Sequence, residues 1–144
     1  MNTIQPDSVV ADMQATIAAL KSRAECNGRV GAIGYCMGGR LAYTAAALCG
    51  VDAAVAYYGG GIQNQLALAP QVACPIQFHY GEKDDHIPPE AVEAVRDAMA
   101  EKDAEIHVYP GAQHGFNCWA RASYGPGSAA LAHGRSLAFL AQLF

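Results

Sequence analysis

Short, largely apolar runs alternate along this chain with longer segments in which apolar residues recur every three or four positions. The short runs cover residues 30–33, 53–58, 76–80 and 105–109. A run of four to six such residues is typical of a strand that is buried on both faces, as in a parallel sheet. The pattern therefore predicts four buried β-strands.

The segments between these runs carry the spacing of amphipathic helices. Helices are predicted from Pro6 to about Asn27, from the residues after Cys36 to Cys49, from Pro89 to about Lys102, and from Ser128 through Leu137, Leu140 and Leu143. Asp7 or Ser8 is the expected N-cap of the first helix, and Gly50 is the expected C-cap of the second. Residues 63–72 are interpreted as a loop or a short irregular helix. Residues 110–127 form a long loop of the size that usually carries function.

Strands and helices that alternate in this way form βαβ units with right-handed crossovers. We therefore expect an α/β fold of three αβα layers, with about four parallel strands and flanking helices, in a single domain over residues 1–144. In open sheets of this kind, functional sites lie beyond the C-terminal ends of the strands. Loops that follow different strands should consequently meet at one edge of the sheet.

Composition narrows the possible functions. The formal net charge is −4, and without a basic stripe the chain is not expected to bind nucleic acid. No apolar run approaches the roughly 18 residues that span a bilayer, and the first seven residues lack the pattern of a signal peptide. The five cysteines are odd in number and form no C-x-x-C pair, which favours a reducing, cytoplasmic location over a disulfide framework or a zinc site.

The most informative motif is Gly-Tyr-Cys-Met-Gly-Gly at residues 34–39, which lies between the first predicted strand and the second predicted helix. A strand, a sharp turn and a helix with G-x-C-x-G at the turn is the pattern of a nucleophile elbow, with Cys in the place where Ser is more usual. Gly34 and Gly38 permit a cramped turn, and the start of the helix favours a thiolate. Cys36 is therefore the candidate nucleophile. A buried structural cysteine is the alternative.

A thiol nucleophile needs a base, and the base needs an acid that orients it. His114 stands in a loop between glycines after the fourth strand, and Asp84 follows the third strand. Nucleophile, acid and histidine in this chain order match the α/β-hydrolases. Asp85 is an alternative acid, and His86 could line the site.

Several segments of the chain resemble the dienelactone hydrolase family of α/β-hydrolases. They are Gly-Tyr-Cys-Met-Gly-Gly (34–39), Ala-Tyr-Tyr-Gly-Gly-Gly-Ile (56–62), Gly-Glu-Lys-Asp-Asp-His-Ile-Pro (81–88), Tyr-Pro-Gly-Ala-Gln-His-Gly-Phe (109–116) and Arg-Ala-Ser-Tyr (121–124). The resemblance implies a catalytic triad of Cys36, His114 and Asp84, because the family's acid stands four residues before the proline. It implies hydrolysis of small esters or lactones through an acyl-enzyme, with no metal or organic cofactor.

Further site residues are expected from the same resemblance. The Met37 N–H should bind the oxyanion, and Tyr35, Phe116 and Trp119 are candidates for lining the substrate pocket. The family's carboxylate-binding arginine has no match, because position 118 is Cys and the nearest arginine is Arg121. Dienelactone itself is therefore an unfavoured substrate.

The chain resembles only the C-terminal part of that family. In full members, the preceding part supplies the second oxyanion donor and a glutamate that activates the cysteine. The strand at residues 30–33 would also lose a neighbour, and an apolar edge of this kind recruits another chain. We therefore expect a homodimer or larger assembly through this edge, in which the partner could complete the pocket.

Two other functions remain open from the sequence. The chain could be a self-associating relic that binds acyl compounds with little or no turnover, because one oxyanion donor is missing. It could also be a thiol-redox protein, in which Cys118 would be the resolving partner of Cys36.

Overall fold

The computed structural model describes residues 6–144, which form one parallel sheet flanked by helices. The elements are α1 (Pro6–Lys21), β1 (Gly31–Tyr35), α2 (Met37–Leu48), β2 (Ala53–Tyr57), two 3₁₀ helices (Ile62–Asn64 and Leu66–Gln71), β3 (Ile76–Gly81), α3 (Pro89–Ala98), β4 (Ala104–Tyr109) and α4 (Pro126–Ala141). The strands pair in the order β1-β2-β3-β4, and all three pairings are parallel. The expected α/β fold with four parallel strands is confirmed.

Helices cover both faces of the sheet. On β3, Phe78 packs against Tyr43 of α2, whereas the neighbouring Gln77 and His79 contact Ser136 of α4. Because successive side chains of a strand point to opposite faces, α2 and α4 lie on opposite sides of the sheet. The molecule therefore has the three αβα layers that the alternation of elements predicts.

Several boundaries differ from those predicted. α1 ends at Lys21 rather than near Asn27, because residues 22–26 form turns such as the one closed by the Arg23 N–H on the Leu20 carbonyl (3.2 Å). Asp7 and Ser8 lie within α1, so neither is at the N-cap position. The segment that argues against a signal peptide falls largely outside the described residues.

The last helix shows the largest departure. It begins at Pro126 with Gly125 as N-cap, not at Ser128, since proline is well suited to the first helical position. Its buried residues are Ala129, Ala132, Ser136 and Phe139. Of the leucines that mark this predicted helix, Leu137 is 56% exposed, whereas Leu140 and Leu143 are half-buried and pack against the core.

A fully buried polar network joins the sheet to α4. His79 lies 2.8 Å through Nδ1 from the Tyr109 hydroxyl and 2.7 Å through Nε2 from the Gln77 side-chain oxygen. The Gln77 amide group donates to Glu105, so its oxygen must accept. This arrangement places the His79 proton on Nε2 and makes the Tyr109 hydroxyl the donor to Nδ1. Burial, with the nearby charges of His107 and Arg135, lowers the pKa of His79 to about 3.

We expect His79 to make the fold sensitive to acid. The unfolded residue binds a proton near pH 6.5 and the folded one near pH 3, so its contribution is complete above pH 6.5 and is lost as the pH falls. Between pH 7 and pH 5 this loss is about 2 kcal/mol of unfolding free energy. Urea unfolding at both pH values should show a smaller loss in His79→Gln than in the native chain. The variant His133→Gln, whose histidine is exposed on α4, is the control and should behave like the native chain.

The strand β1 lies at one edge of the sheet within residues 6–144. The Val30 carbonyl accepts from the Asp52 N–H (2.8 Å) and the Cys36 N–H donates to the Tyr57 carbonyl (3.0 Å), so alternate residues point toward β2. The backbone groups of Gly31, Ile33 and Tyr35 therefore point away from the sheet. The side chain of Ile33 is also 50% exposed, which leaves this edge apolar as well as unpaired.

No helix within the described part of the chain is long and apolar enough to cross a membrane.

Candidate active site

Cys36 lies in a strained turn between β1 and α2. Its φ of 58° is unusual for a residue with a side chain, and such conformations are found where a nucleophile is held above a sheet. A Cβ on Gly34 would collide with the Gly38 backbone, and a Cβ on Gly39 would come within 2.5 Å of the Tyr57 carbonyl oxygen. A Cβ on Gly38 would meet nothing within 4 Å. The tight turn thus requires Gly34 and Gly39, whereas the sequence pattern pointed to Gly34 and Gly38.

Met37 is the first residue of α2, directly after Cys36. The N–H groups of the first helical turn have no acceptor within the helix, and together with the helix dipole they favour negative charge. The N–H of Met37 is thus available next to the thiol, at the position expected for an oxyanion donor. Its side chain is 48% exposed.

The loops after β1, β3 and β4 bring Cys36, Asp84 and His114 together. His114 Nδ1 lies 2.8 Å from Asp84 Oδ2, and His114 Nε2 lies 3.1 Å from Cys36 Sγ. A carboxylate can only accept, so the Nδ1–H of His114 donates to it and leaves Nε2 of the neutral ring to accept from the thiol. This is the geometry in which an imidazole can remove the thiol proton.

Asp84, rather than Asp85, faces the histidine. Asp84 is 4% exposed, whereas Asp85 is exposed to solvent. Its second carboxylate oxygen, Oδ1, accepts the backbone N–H of His86 at 2.8 Å. The turn closed by the Ile87 N–H on the Asp84 carbonyl (3.2 Å) holds this loop together. Both oxygens of Asp84 therefore have a donor, and Oδ2 is directed to His114.

The loop that carries His114 is tied to the loop that carries Asp84. The Lys83 N–H donates to the Ala112 carbonyl (2.8 Å), and the Gly111 N–H donates to a carboxylate oxygen of Glu82 (2.7 Å). Gly111 and Gly115 have φ values of 69° and 78°, which suit glycine and bend the chain on either side of the histidine. These contacts explain how a long loop presents one imidazole in a fixed place.

Two aromatic rings contact the His114 ring. Tyr58, directly after β2, lies 5.2 Å from it between ring centroids at 61°, and His86 lies 4.7 Å from it at 78°. Tyr58 is buried, which raises the pKa of its hydroxyl, and its backbone φ is 37°. Tyr58 was not among the predicted site residues. Its sequence signals are its place in the segment 56–62 that resembles the family and its position at a strand end, before three consecutive glycines.

The three predicted pocket residues have different surroundings. Tyr35 is 46% exposed and lies against Tyr57, with 4.8 Å between ring centroids. Trp119 is 83% exposed. Phe116 is fully buried and packs against Tyr58 at 5.3 Å, so it supports that ring and presents no exposed surface to a ligand. Burial within the loop therefore corrects the expectation for Phe116.

A small polar cleft of about 190 Å³ opens beside His114. It is lined by Lys83, Asp85, His86, Gln113, His114 and Arg121. The side chain of Arg121 lies close to Gly115, because a Cβ built on Gly115 would come within 3.0 Å of it. Arg121 stands three residues after position 118, where the family's arginine was expected. All five cysteines are free thiols, including the half-buried Cys118.

Comparison with known proteins identifies the family of the chain. The model of the dienelactone hydrolase family matches residues 1–144. The chain is 38% identical over 135 residues to a carboxymethylenebutenolidase of Pseudomonas putida and 32% identical to carboxymethylenebutenolidase 1 of Cupriavidus pinatubonensis. In each case the match covers 93% of this chain and 57% of the relative. The chain thus spans little more than half the length of these relatives.

Solved structures give the same result. A crystal structure from Klebsiella pneumoniae, provisionally named a dienelactone hydrolase, superposes with a TM-score of 0.84 at 35% identity, over 92% of this chain and 60% of that one. A dienelactone hydrolase-like promiscuous phosphotriesterase from metagenomic libraries shares the fold, with a TM-score of 0.82 at 24% identity, over 96% of this chain and 62% of that one. The chain therefore belongs to the dienelactone hydrolase family.

Proposed function

We propose that the chain is a cysteine-dependent hydrolase of small esters or lactones with a triad of Cys36, His114 and Asp84. The observation that carries this proposal is the position of His114. Its two ring nitrogens lie 3.1 Å from the Cys36 thiol and 2.8 Å from the Asp84 carboxylate. Only these three groups form such a chain of contacts at the strand ends, among residues 6–144. Family membership supplies the reaction class.

In the first half of the proposed reaction, His114 Nε2 takes the thiol proton and Cys36 Sγ attacks the acyl carbon of the substrate. The carbonyl oxygen becomes an oxyanion, which the Met37 N–H stabilises. When the tetrahedral intermediate collapses, the ester C–O bond breaks and His114 gives its proton to the leaving alcohol. The product of this half is a thioester on Cys36.

In the second half, His114 removes a proton from a water molecule, and the hydroxide attacks the thioester carbonyl. The bond from carbon to Sγ breaks, the acid is released and the proton returns to the sulfur. Asp84 keeps the Nδ1–H tautomer throughout and stabilises the imidazolium each time it forms. No other group has to change its protonation state.

This mechanism uses one oxyanion donor among residues 6–144, the N–H of Met37. The resemblance assigns a second donor to a segment of the family that lies outside the matched residues. Loss of one donor typically costs about 10²–10³ in rate. The alternative, a ligand-binding relic with little or no turnover, follows from the same observation.

A thiol-redox function needs a disulfide between Cys36 and Cys118, and mild oxidation that forms none would exclude it.

The test is hydrolysis of a short-chain chromogenic ester by the purified chain, compared with its Cys36→Ala and His114→Ala variants. Loss of activity in both variants supports the proposal. A folded native chain that binds acyl compounds but does not turn them over would contradict it and support the relic.

We also propose that two copies associate through β1. Within residues 6–144, no strand pairs with the outer backbone groups of β1, and Ile33 is exposed there. The strand itself has no charged residue or proline of the kind that protects strand edges. A partner strand could bring a backbone donor or a pocket wall toward Cys36, which directly follows β1.

A reducing cytoplasmic location remains a prediction from the cysteine pattern.

Sedimentation of the purified chain should therefore show a dimer or larger species. Ile33→Lys places a charge in the proposed interface and should shift the population to monomer. Leu131→Lys is the control, because Leu131 is likewise 50% exposed but lies on α4. A native chain that is monomeric at micromolar concentration, or equal behaviour of the two variants, would contradict this interface.

A further inference from the structure

We propose that His86 is a positioning residue whose ring holds the His114 imidazole in place while the acyl group is on Cys36. This inference rests on the proposed function. It goes beyond the triad because it separates the two halves of the reaction, which differ in the number of contacts that hold His114.

In the free protein, His114 is held by hydrogen bonds at both ring nitrogens, to Asp84 Oδ2 and to Cys36 Sγ. Together with Cβ, which lies in the plane of the ring, these two bonds fix the orientation of the imidazole. If the bond at Nε2 is lost, the ring can turn about its side-chain bonds while Nδ1 stays near Asp84. Groups that touch the ring itself then oppose this rotation, and the rings of Tyr58 and His86 are in contact with it.

His86 is placed to act on both members of the acid–base pair. Its backbone N–H donates to Asp84 Oδ1 (2.8 Å), and its ring lies 4.7 Å from that of His114 in an edge-to-face arrangement at 78°. The loop from Asp84 to His86 thus fixes the carboxylate by its backbone and the imidazole by a side chain. A residue at this position keeps the backbone bond whatever its side chain, so the ring contribution can be removed separately.

Acylation removes one of the contacts that hold His114. A free thiol donates to Nε2, whereas the sulfur of a thioester has no proton to donate. In the acyl-enzyme, His114 retains the Asp84 bond and the ring contacts, and it must then aim Nε2 at a water molecule. The ring of His86 should therefore matter more in deacylation than in acylation.

Tyr58 contributes a similar contact but is a poorer probe. It is 3% exposed and its backbone φ is 37°, so its replacement would disturb the core and the turn together. His86 is exposed, and its removal leaves no core cavity. The effect of a single ring contact can consequently be measured at His86 without loss of the fold.

The experiment compares His86→Ala, His86→Phe and, as a matched histidine control, His133→Ala. Single-turnover reactions with protein in excess over a p-nitrophenyl ester give the acylation rate. Decay of the isolated acyl-enzyme, followed by mass spectrometry, gives the deacylation rate. We expect deacylation to fall about threefold to tenfold in His86→Ala, the range of one aromatic pair, while acylation changes less. His86→Phe should restore the native rates, and His133→Ala should not differ from the native chain.

Three results would overturn the inference. Equal slowing of both halves in His86→Ala would mean a general loss of activity, and unchanged rates would mean that the ring has no effect. A Phe variant as slow as the Ala variant would assign the effect to the imidazole nitrogens and not to packing.

A spectroscopic readout keeps the inference separate from the proposed function. In ¹⁵N-histidine-labelled Cys36→Ala protein, His114 lacks the thiol bond, as it does in the acyl-enzyme. Its Nδ1–H resonance should be sharp there and with His86→Phe added, and should broaden through exchange with water when His86→Ala is added. If the native chain hydrolyses no ester, the proposed function fails and this spectrum still decides the role of His86. An identical Nδ1–H signal with His86→Ala added would overturn the inference.

Discussion

Hydrolysis of a short-chain chromogenic ester will fall by at least about 10³-fold in both Cys36→Ala and His114→Ala, and by no more in the double variant. The single losses do not add because the two residues act as one unit. Without Sγ there is no atom to form the acyl-enzyme, and without Nε2 nothing removes the thiol proton at 3.1 Å. The measurement is kcat/KM for purified, folded protein at pH 7.

Controls of the same residue types separate this effect from general damage. Cys74→Ala and His133→Ala change a half-buried thiol and an exposed imidazole on other parts of the fold, and both should retain native rates. If the double variant were slower than the native chain by the product of the two single effects, the two residues would act independently. A triad that includes both would then be wrong.

Gly34→Ala will destabilise the fold by about 3 kcal/mol or more, whereas Gly38→Ala will be neutral or stabilise it by up to about 1 kcal/mol. The same methyl group meets two different surroundings within one motif. At Gly34 it collides with the Gly38 backbone, and at Gly38 it meets nothing within 4 Å and gains helix propensity in α2. Urea unfolding followed by circular dichroism gives both free energies.

This pair tests the elbow without reference to activity. Similar stabilities for the two variants would show that Gly34 does not lie in close contact with the Gly38 backbone. The strained φ of Cys36 would then lose its explanation. Since both substitutions lie within two residues of Cys36, a difference between them cannot arise from general proximity to the site.

Local pattern was sufficient to predict the strands and the elbow. The strands are marked by apolar runs and the elbow by its glycines, and both depend on a few neighbouring residues. The expected burial holds along the whole length of β2 and β3 only, because β1 and β4 lie at the two edges of the sheet. The order Cys36, Asp84, His114 then followed from loops at strand ends. The choice of Asp84 over Asp85 needed the family resemblance, because adjacent carboxylates differ only in which of them the folded loop buries.

The remaining features depend on tertiary packing. Phe116 lies in a loop with no periodicity, so nothing in the sequence distinguishes a ring that lines a pocket from one that is buried beneath it. Tyr58 contacts His114 because two loops from different strands meet, and the sequence does not give that distance. On α4 the buried residues are Ala129, Ala132, Ser136 and Phe139, with Leu140 half-buried against the core, so the leucines alone do not define its buried face.

The elbow is built from main-chain contacts, and this has a consequence for the identity of the nucleophile. Gly34, Gly38, Gly39 and the Tyr57 carbonyl set the turn, and none of these groups needs a sulfur atom at position 36. A hydroxyl could occupy the same place without rebuilding the scaffold, and a single base change converts a cysteine codon into one for serine. The chemistry of this fold can therefore change its reactive atom during evolution while the architecture around it is inherited intact.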